Sequence, residues 1–326
     1  MVLLYLTEKQ FRRMRVCMNQ KNKTKLGKAA LFGSALIWGS SFFIMKNTIA
    51  NVPENFLLGT RFLAGALLLC IFFHKRLGKI DKSYFKTGFV LGGFWFWAYW
   101  FQTEGLYHTT PGKNAFLTAI YCVAVPFVTW IWQKKKPTKQ NFLAALICIT
   151  GIGLISLDGN LSIGIGDGLT LVGGLLFSLH IAYLGMKSGQ KDPVLLTIVQ
   201  FLFAGLWGAG ISVFTEDISA IHWTVGQAGS LAYLVIMCTA VAVTFQSIGQ
   251  SRVSSSSASL ILSLESVFGV LFSVIFYGEK ATVKILIGFA LVMAAILISE
   301  TDLGRKSGHT ENNDKKRINK KTANVV

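Results

Sequence analysis

The chain has 326 residues, of which 52% are apolar and only 14% charged, and its mean hydropathy is +0.52. Soluble domains carry roughly 25% charged residues, so this composition excludes an ordinary soluble domain and points to an integral membrane protein. The formal net charge of +17 does not indicate nucleic-acid binding, because the charges sit at the ends of apolar runs and in the tails.

In chain order, the first stretch is "MVLLYLTEKQFRRMRVC". Its six-residue apolar start is shorter than the core of about 7–15 residues that a signal peptide needs. It reads as a basic membrane-surface segment or, as we prefer, as residues upstream of a start at Met18. Residues 1–28 form a basic cytoplasmic tail on this reading. Hydropathy windows then predict ten helices, at 29–49, 56–73, 86–108, 112–132, 140–157, 168–187, 193–214, 228–249, 254–276 and 281–299. The runs are too continuous for the ~10-residue alternation of a barrel, and lipid offers no partner to unpaired backbone groups. Residues 301–326 close the chain as a second basic cytoplasmic tail. With the N-terminus inside, the tails and loops on the cytoplasmic side hold 27 Lys and Arg, against Lys46, Lys113, Lys280 and Lys284 outside. That bias places both termini in the cytoplasm, as an even number of spans requires.

The two halves, 29–157 and 168–300, resemble each other. A shift of 139 lays "IWGSSFFIMK" over "LFSLHIAYLG" and "TRFLAGALL" over "VQFLFAGLW". A shift of 144 lays "HTTPGKNAFLTAIYCV" over "RVSSSSASLILSLESV", and "KKKPTKQNFLAAL" over "GEKATVKILIGFA". Five spans per unit is an odd number, so the second unit must be inserted upside down. The charges agree: "QKKKPTKQ" falls inside and its mate "YGEKATVK" outside. Inverted repeats of this kind are a transporter device, with the substrate site near the midplane between them. The expected fold is therefore all-α and integral to the membrane, with ten transmembrane helices as two inverted five-helix repeats around a central cavity.

Other chemistries lack their residues. No GxxxxGK[ST] is present for an ATPase, and no GxSxG or HExxH for an intramembrane hydrolase. A receptor would need neither intramembrane charge nor pseudo-symmetry. The five cysteines form no CxxC and no cluster with His, so they read as small apolar side chains and imply no metal and no cofactor.

"ALIWGSSFFIMK", the stretch from "GLYHTTPGKNAFLTAIYCV" to "ICITGIGLISL", and the matching stretch from "RVSSSSASLILSLESV" to "LVMAAILIS" together resemble the drug/metabolite transporter superfamily, EamA type. The resemblance covers about residues 29–300. It implies a secondary transporter, often an exporter of amino acids, other metabolites or toxic small molecules across the bacterial inner membrane. It implies spans 1–4 and 6–9 around a cavity, with spans 5 and 10 peripheral. A uniporter or exchanger importing a metabolite fits the same features. The expected partners are a small-molecule substrate, the lipid bilayer and, for coupling, protons; the reading leaves room for a homodimer. The sequence departs from the family pattern at Lys134-Lys135-Lys136, where the repeat more often has Gly-Glu-Arg or Gly-Glu-Lys; Gly278-Glu279-Lys280 keeps that form.

Glu265 is the twelfth of 23 residues in its span, ~16 Å from either end at about 1.5 Å per residue. It cannot reach water along the helix, so it faces a cavity or a partner, as a proton site, a cation-recognition group or a helix-to-helix tie. Its repeat mate is Tyr121. His180, mate of Ser41, is a proton shuttle or a packing hydrogen bond. Arg61 and Glu104, in the outer halves of spans 2 and 3, are expected to pair with each other; otherwise Arg61 meets a substrate carboxylate. The mate of Arg61 is Gln200. Span 3 is dense in aromatics, Trp95, Trp97, Tyr99 and Trp100; Trp38, mate of Phe177, and one or two of Trp95, Trp97 and Trp100 are expected to wall the cavity.

Overall fold

The computed structural model describes residues 2–134, 136–156, 164–187, 191–221, 223–280 and 282–300; the C-terminal tail predicted at 301–326 lies outside them. Helix dominates, and no strand occurs among the described residues. The elements are α1 Val2–Ile49, α2 Glu54–Phe72, α3 Lys82–Tyr107, α4 Pro111–Thr118, α5 Ile120–Gln133, α6 Lys139–Ser156, α7 Ile165–Lys187 and α8 Pro193–Thr215. They continue with α9 Val225–Tyr233, α10 Ala242–Gln250, α11 Ser255–Leu262, α12 Leu264–Phe272 and α13 Val283–Glu300.

Among the described residues, seven helical stretches are long and apolar enough to cross a membrane: Asn22–Ile49, Glu54–Phe72, Pro111–Gln133, Ile165–Lys187, Pro193–Thr215, Val225–Gln250 and Ser257–Tyr277. Two shorter apolar helices lie at Lys139–Ile155 and Val283–Ile298. The 26-residue α3 is not among the seven; its Trp, Tyr, Gly and Gln side chains rank low in hydropathy although much of it is buried. Large apolar side chains such as Phe72, Leu146, Phe214 and Ile275 are exposed on the outer surface. In water such a surface would drive association; against lipid it is the ordinary exterior.

Helix ends follow local chemistry. Asp81 starts α3, accepting from the Ser83 and Tyr84 amides at 2.9 and 3.1 Å. Those bonds, with the Ser83 hydroxyl foremost, hold its carboxyl below the usual carboxylate range. Glu216 satisfies the first turn of α2, accepting from the Asn55 and Phe56 amides at 2.8 and 2.7 Å. Glu279, in the "YGEK" turn, does the same for α4: it accepts from Thr110 Oγ1 at 2.5 Å and from the Gly112 amide at 2.9 Å.

Two differences from the sequence reading matter. The stretch upstream of residue 29 is helical backbone continuous with the first span; "NQKNKTKLGK" has no proline to stop a helix. The spans expected unbroken at 112–132 and 254–276 are each interrupted, at Ala119 and at Ser263. At each interruption the chain tightens into an i to i−3 turn, Cys122 N to Ala119 O at 3.0 Å and Ser266 N to Ser263 O at 3.0 Å. The hydroxyls of Thr118 and Ser263 bond back to the carbonyls of Asn114 and Leu260 at 2.8 and 2.7 Å. Neither break has a Pro or Gly at its site, so composition did not announce it. Further on, Leu234–Val241 and Ser273–Tyr277 are π-helical.

The packing order is set by close backbone approaches. α6 runs along α13, α3 along α7, and α2 along α8. Gly59 and Gly208 let α2 and α8 nearly touch: a Cβ on Gly59 would stand 2.6 Å from the Ala209 amide nitrogen.

Candidate functional site

The helices enclose a cavity with about 380 Å³ of empty space, its open side included. Aromatic side chains make one part of the wall: Trp38 and Phe42 from α1, Trp95 and Tyr99 from α3, and Phe177 from α7. Polar groups make another: Gln102, Gln246, Tyr121 and Glu265, with Ser41 beside them. α2, α6, α8 and α13 supply none of the lining among the described residues. The stretches expected as spans 2 and 7 were to stand around the cavity, and they supply no residue to this one. The cause is the direct α2–α8 contact, which sets both behind α3 and the π-helical turn.

Glu265 and Tyr121 meet inside the bundle. Tyr121 Oη donates to Glu265 Oε1 at 2.9 Å, and the two residues are 3% and 5% exposed. Each lies two residues beyond its helix break, on α12 and α5. The break in each helix thus sits beside the polar pair, with α12 packed against α4 and α11 against α5. Gly39 on α1 admits α12 to the same place, with the Glu265 carbonyl 3.1 Å from where a Cβ would stand.

The aromatic wall is a connected stack. Trp95 has its ring centroid 5.9 Å from Trp38, 5.6 Å from Phe177 and 5.1 Å from Tyr99. Trp38 is fixed by its indole N–H, which donates to the Cys238 carbonyl at 2.8 Å. Trp97 and Trp100 turn the other way, against each other, Phe96, Phe101 and Trp207. That division follows from the helical period, since residues 95 and 99 share a face that 97 and 100 do not.

His180 and Gln200 stand behind this wall. His180 Nε2 and Gln200 Oε1 are 2.9 Å apart, both residues are fully buried, and neither lines the cavity. The His180 ring lies 4.6 Å from that of Trp95.

The expected ion pair between Arg61 and Glu104 is not made. Arg61 is 1% exposed; its Nε donates to Thr239 Oγ1 at 2.6 Å, its Nη2 to Tyr99 Oη at 3.4 Å, and its Cζ lies 4.6 Å over the Tyr99 ring. Glu104 instead lies 3.6 Å from His108 Nε2, one turn along α3, and near Glu54. The reason is depth. Arg61 is seven residues into α2 and Glu104 three from the end of α3, so at about 1.5 Å per residue they differ by ~6 Å along the bundle. The ion pair that does form at this end is Lys113 Nζ to Asp167 Oδ2, at 3.0 Å.

Sequence reasoning missed Gln102 and Gln246. Their signal was in the chain: "FQTEG" at 101–105 and "FQSIG" at 245–249 are 144 residues apart, the shift already found downstream. No group of three His, Cys, Asp or Glu that could hold a metal occurs among the described residues. The four cysteines whose side chains are described, Cys70, Cys122, Cys148 and Cys238, are not joined to one another in disulfides.

A bundle of membrane-crossing helices around a cavity with aromatic and polar walls has the plan of a multi-pass membrane transporter. The comparisons with known proteins give the family. The profile of the EamA-like transporter family matches twice, over residues 25–157 and 164–301, and the chain belongs to that family. An uncharacterized transporter of Archaeoglobus fulgidus is 33% identical over 264 residues, 81% of this chain and 82% of that protein. The uncharacterized transporter YvbV of Bacillus subtilis is 24% identical, over 87% of this chain and 94% of its own length. YoaV of the same organism, likewise named an uncharacterized transporter, is 22% identical over 83% of this chain and 95% of its own. A solved crystal structure shares the fold at a TM-score of 0.63 and 14% identity, covering 86% of this chain and 96% of that one.

Proposed function

We propose that this EamA-family transporter is a secondary exporter of small metabolites, amino-acid-like or drug-like, across the cell membrane. It works by alternating access between two inverted five-helix repeats, with both termini cytoplasmic, and Glu265 takes part in proton coupling. The observation that carries the reading is that the cavity is walled by residues equivalent under the internal repeat. Trp38 and Phe177, and Phe42 and Ile181, are 139 apart; Gln102 and Gln246, and Tyr121 and Glu265, are 144 apart, and all eight line the cavity.

Backbone features follow the same shifts. The helix breaks at Ala119 and Ser263 are 144 apart, as are the two left-handed residues, Lys134 with φ 58° and Gly278 with φ 73°. The close contact of Gly105 with Gly166 is repeated by that of Gly249 with Gly27. A pseudo-twofold axis through Tyr121 and Glu265 accounts for all of these. Two halves with the same breaks can exchange conformations, so that inward-open and outward-open states are similar in energy. The breaks give each half a pivot beside the polar pair. The excess of Lys and Arg on one side supports the orientation, and the resemblance to exporters supports the direction.

The test is transport. Cells with and without the protein are compared for efflux of amino acids and for resistance to toxic analogues, and the substrate so found is followed in proteoliposomes under two imposed pH gradients. Wild type should respond to the gradient, and Glu265→Gln should lose that response. A variant that keeps both rate and response removes Glu265 from coupling.

A further inference from the structure

The two repeats build the cavity with one asymmetry. In the first, the Gln102 side chain is tied down: its Nε2 donates to Thr118 Oγ1 at 2.9 Å. In the second, the residue equivalent to Thr118 is Leu262, which offers no oxygen. Gln246 is 1% exposed, lines the cavity, and its Oε1 has no hydrogen-bond partner. A buried amide oxygen without a donor is costly, and a ligand that carries one relieves it.

What stands around Gln246 narrows the ligand. Glu265 lines the same cavity, and Tyr121 donates to one of its two carboxyl oxygens. Trp38, Trp95 and Tyr99 present ring faces, which attract cations. No Lys, Arg or His is among the lining residues that the structure describes. Arg61 is held behind Tyr99, with its Nε committed to Thr239. Among the described residues the cavity therefore offers acceptors, aromatic faces and one unpartnered donor, the neutral Trp95 indole N–H, and no free cation to meet a carboxylate.

Resting on the transport reading above, we infer that the group this cavity recognises is a protonated amine, bound by Gln246 Oε1 and Glu265 and backed by the aromatic wall. A carboxylate on the same ligand is not required. Gln246 is then the residue that sets the polarity of the ligand.

The purified full-length protein in lipid nanodiscs is titrated with three probes of similar size: 2-phenylethylamine, 3-phenylpropionate and phenylalanine. Binding is read by calorimetry and by quenching of tryptophan fluorescence. The amine should bind at least tenfold more tightly than 3-phenylpropionate, and phenylalanine no more tightly than the amine. Gln246→Leu should weaken the amine about tenfold and leave 3-phenylpropionate unchanged. Preferential binding of 3-phenylpropionate, or amine affinity within twofold of wild type in Gln246→Leu, overturns the proposal while leaving the cavity as the binding site. Failure of all three probes to bind overturns the proposal together with the reading of the cavity. If Gln246→Leu does not fold, the preference of the wild type among the three probes still decides.

Discussion

The bond between Tyr121 and Glu265 joins the two halves of the chain at the cavity, and its strength can be measured by a double-mutant cycle. Tyr121→Phe removes only the hydroxyl, and Glu265→Met removes the acceptor at similar size. Both groups are at least 95% buried and 2.9 Å apart, so water competes little for the bond. A hydrogen bond to a charged acceptor contributes about 1.5–3 kcal/mol and one between neutral groups about 0.5–1.5 kcal/mol. The coupling energy should fall in the first range when Glu265 is ionised and in the second when it carries a proton. It should therefore grow as pH is raised, because deprotonation strengthens the acceptor. The assay is unfolding in detergent micelles, by heat or by a denaturing detergent, of wild type, both single variants and the double variant at pH 6 and pH 9. A coupling below about 0.5 kcal/mol at both pH values would falsify the bond, since contacting residues normally couple by at least that much.

Two further predictions concern backbone and packing. Lys134 holds a left-handed conformation that its equivalent, Gly278, adopts without a side chain. That conformation costs an L-residue roughly 1–2 kcal/mol, partly offset by the ~0.4–1 kcal/mol that glycine adds to unfolded-chain entropy. Lys134→Gly should thus stabilise by about 0.5–1 kcal/mol and Gly278→Ala should destabilise by about 1 kcal/mol; shifts of the same sign in thermal unfolding would contradict this. At Gly105, a Cβ would stand 2.7 Å from the Gly166 carbonyl oxygen. Gly105→Val should cost at least about 1–3 kcal/mol by overpacking, visible as reduced monodisperse yield in size-exclusion chromatography, whereas Gly93→Ala, where a Cβ meets nothing within 4 Å, should leave that yield unchanged.

The membrane-spanning character of this chain was legible without coordinates, because hydropathy is a property of each segment alone and lipid permits few backbone solutions. The resemblance between the halves was legible too, and with it the pairing of position 121 with position 265. Contacts were a different matter. Arg61 and Glu104 looked like partners because charge is visible in a sequence and depth is not; the bundle sets them ~6 Å apart along its axis by the helix rise of about 1.5 Å per residue. The breaks at Ala119 and Ser263 were hidden, since no Pro or Gly marks them and only the hydroxyl back-bonds and the neighbouring helices reveal them.

The division between sequence and structure is sharpest at the two glutamines. The repeated "FQ" in 101–105 and 245–249 was available from the sequence, which by itself determined the membrane class, the family resemblance and the internal repeat. Only the tertiary structure showed that Thr118 holds Gln102 through its amide nitrogen while Gln246 Oε1 is buried without a donor. The physical reason is that burial and hydrogen-bond satisfaction depend on residues far apart in the chain. Local pattern cannot report which polar group the fold leaves facing an open space.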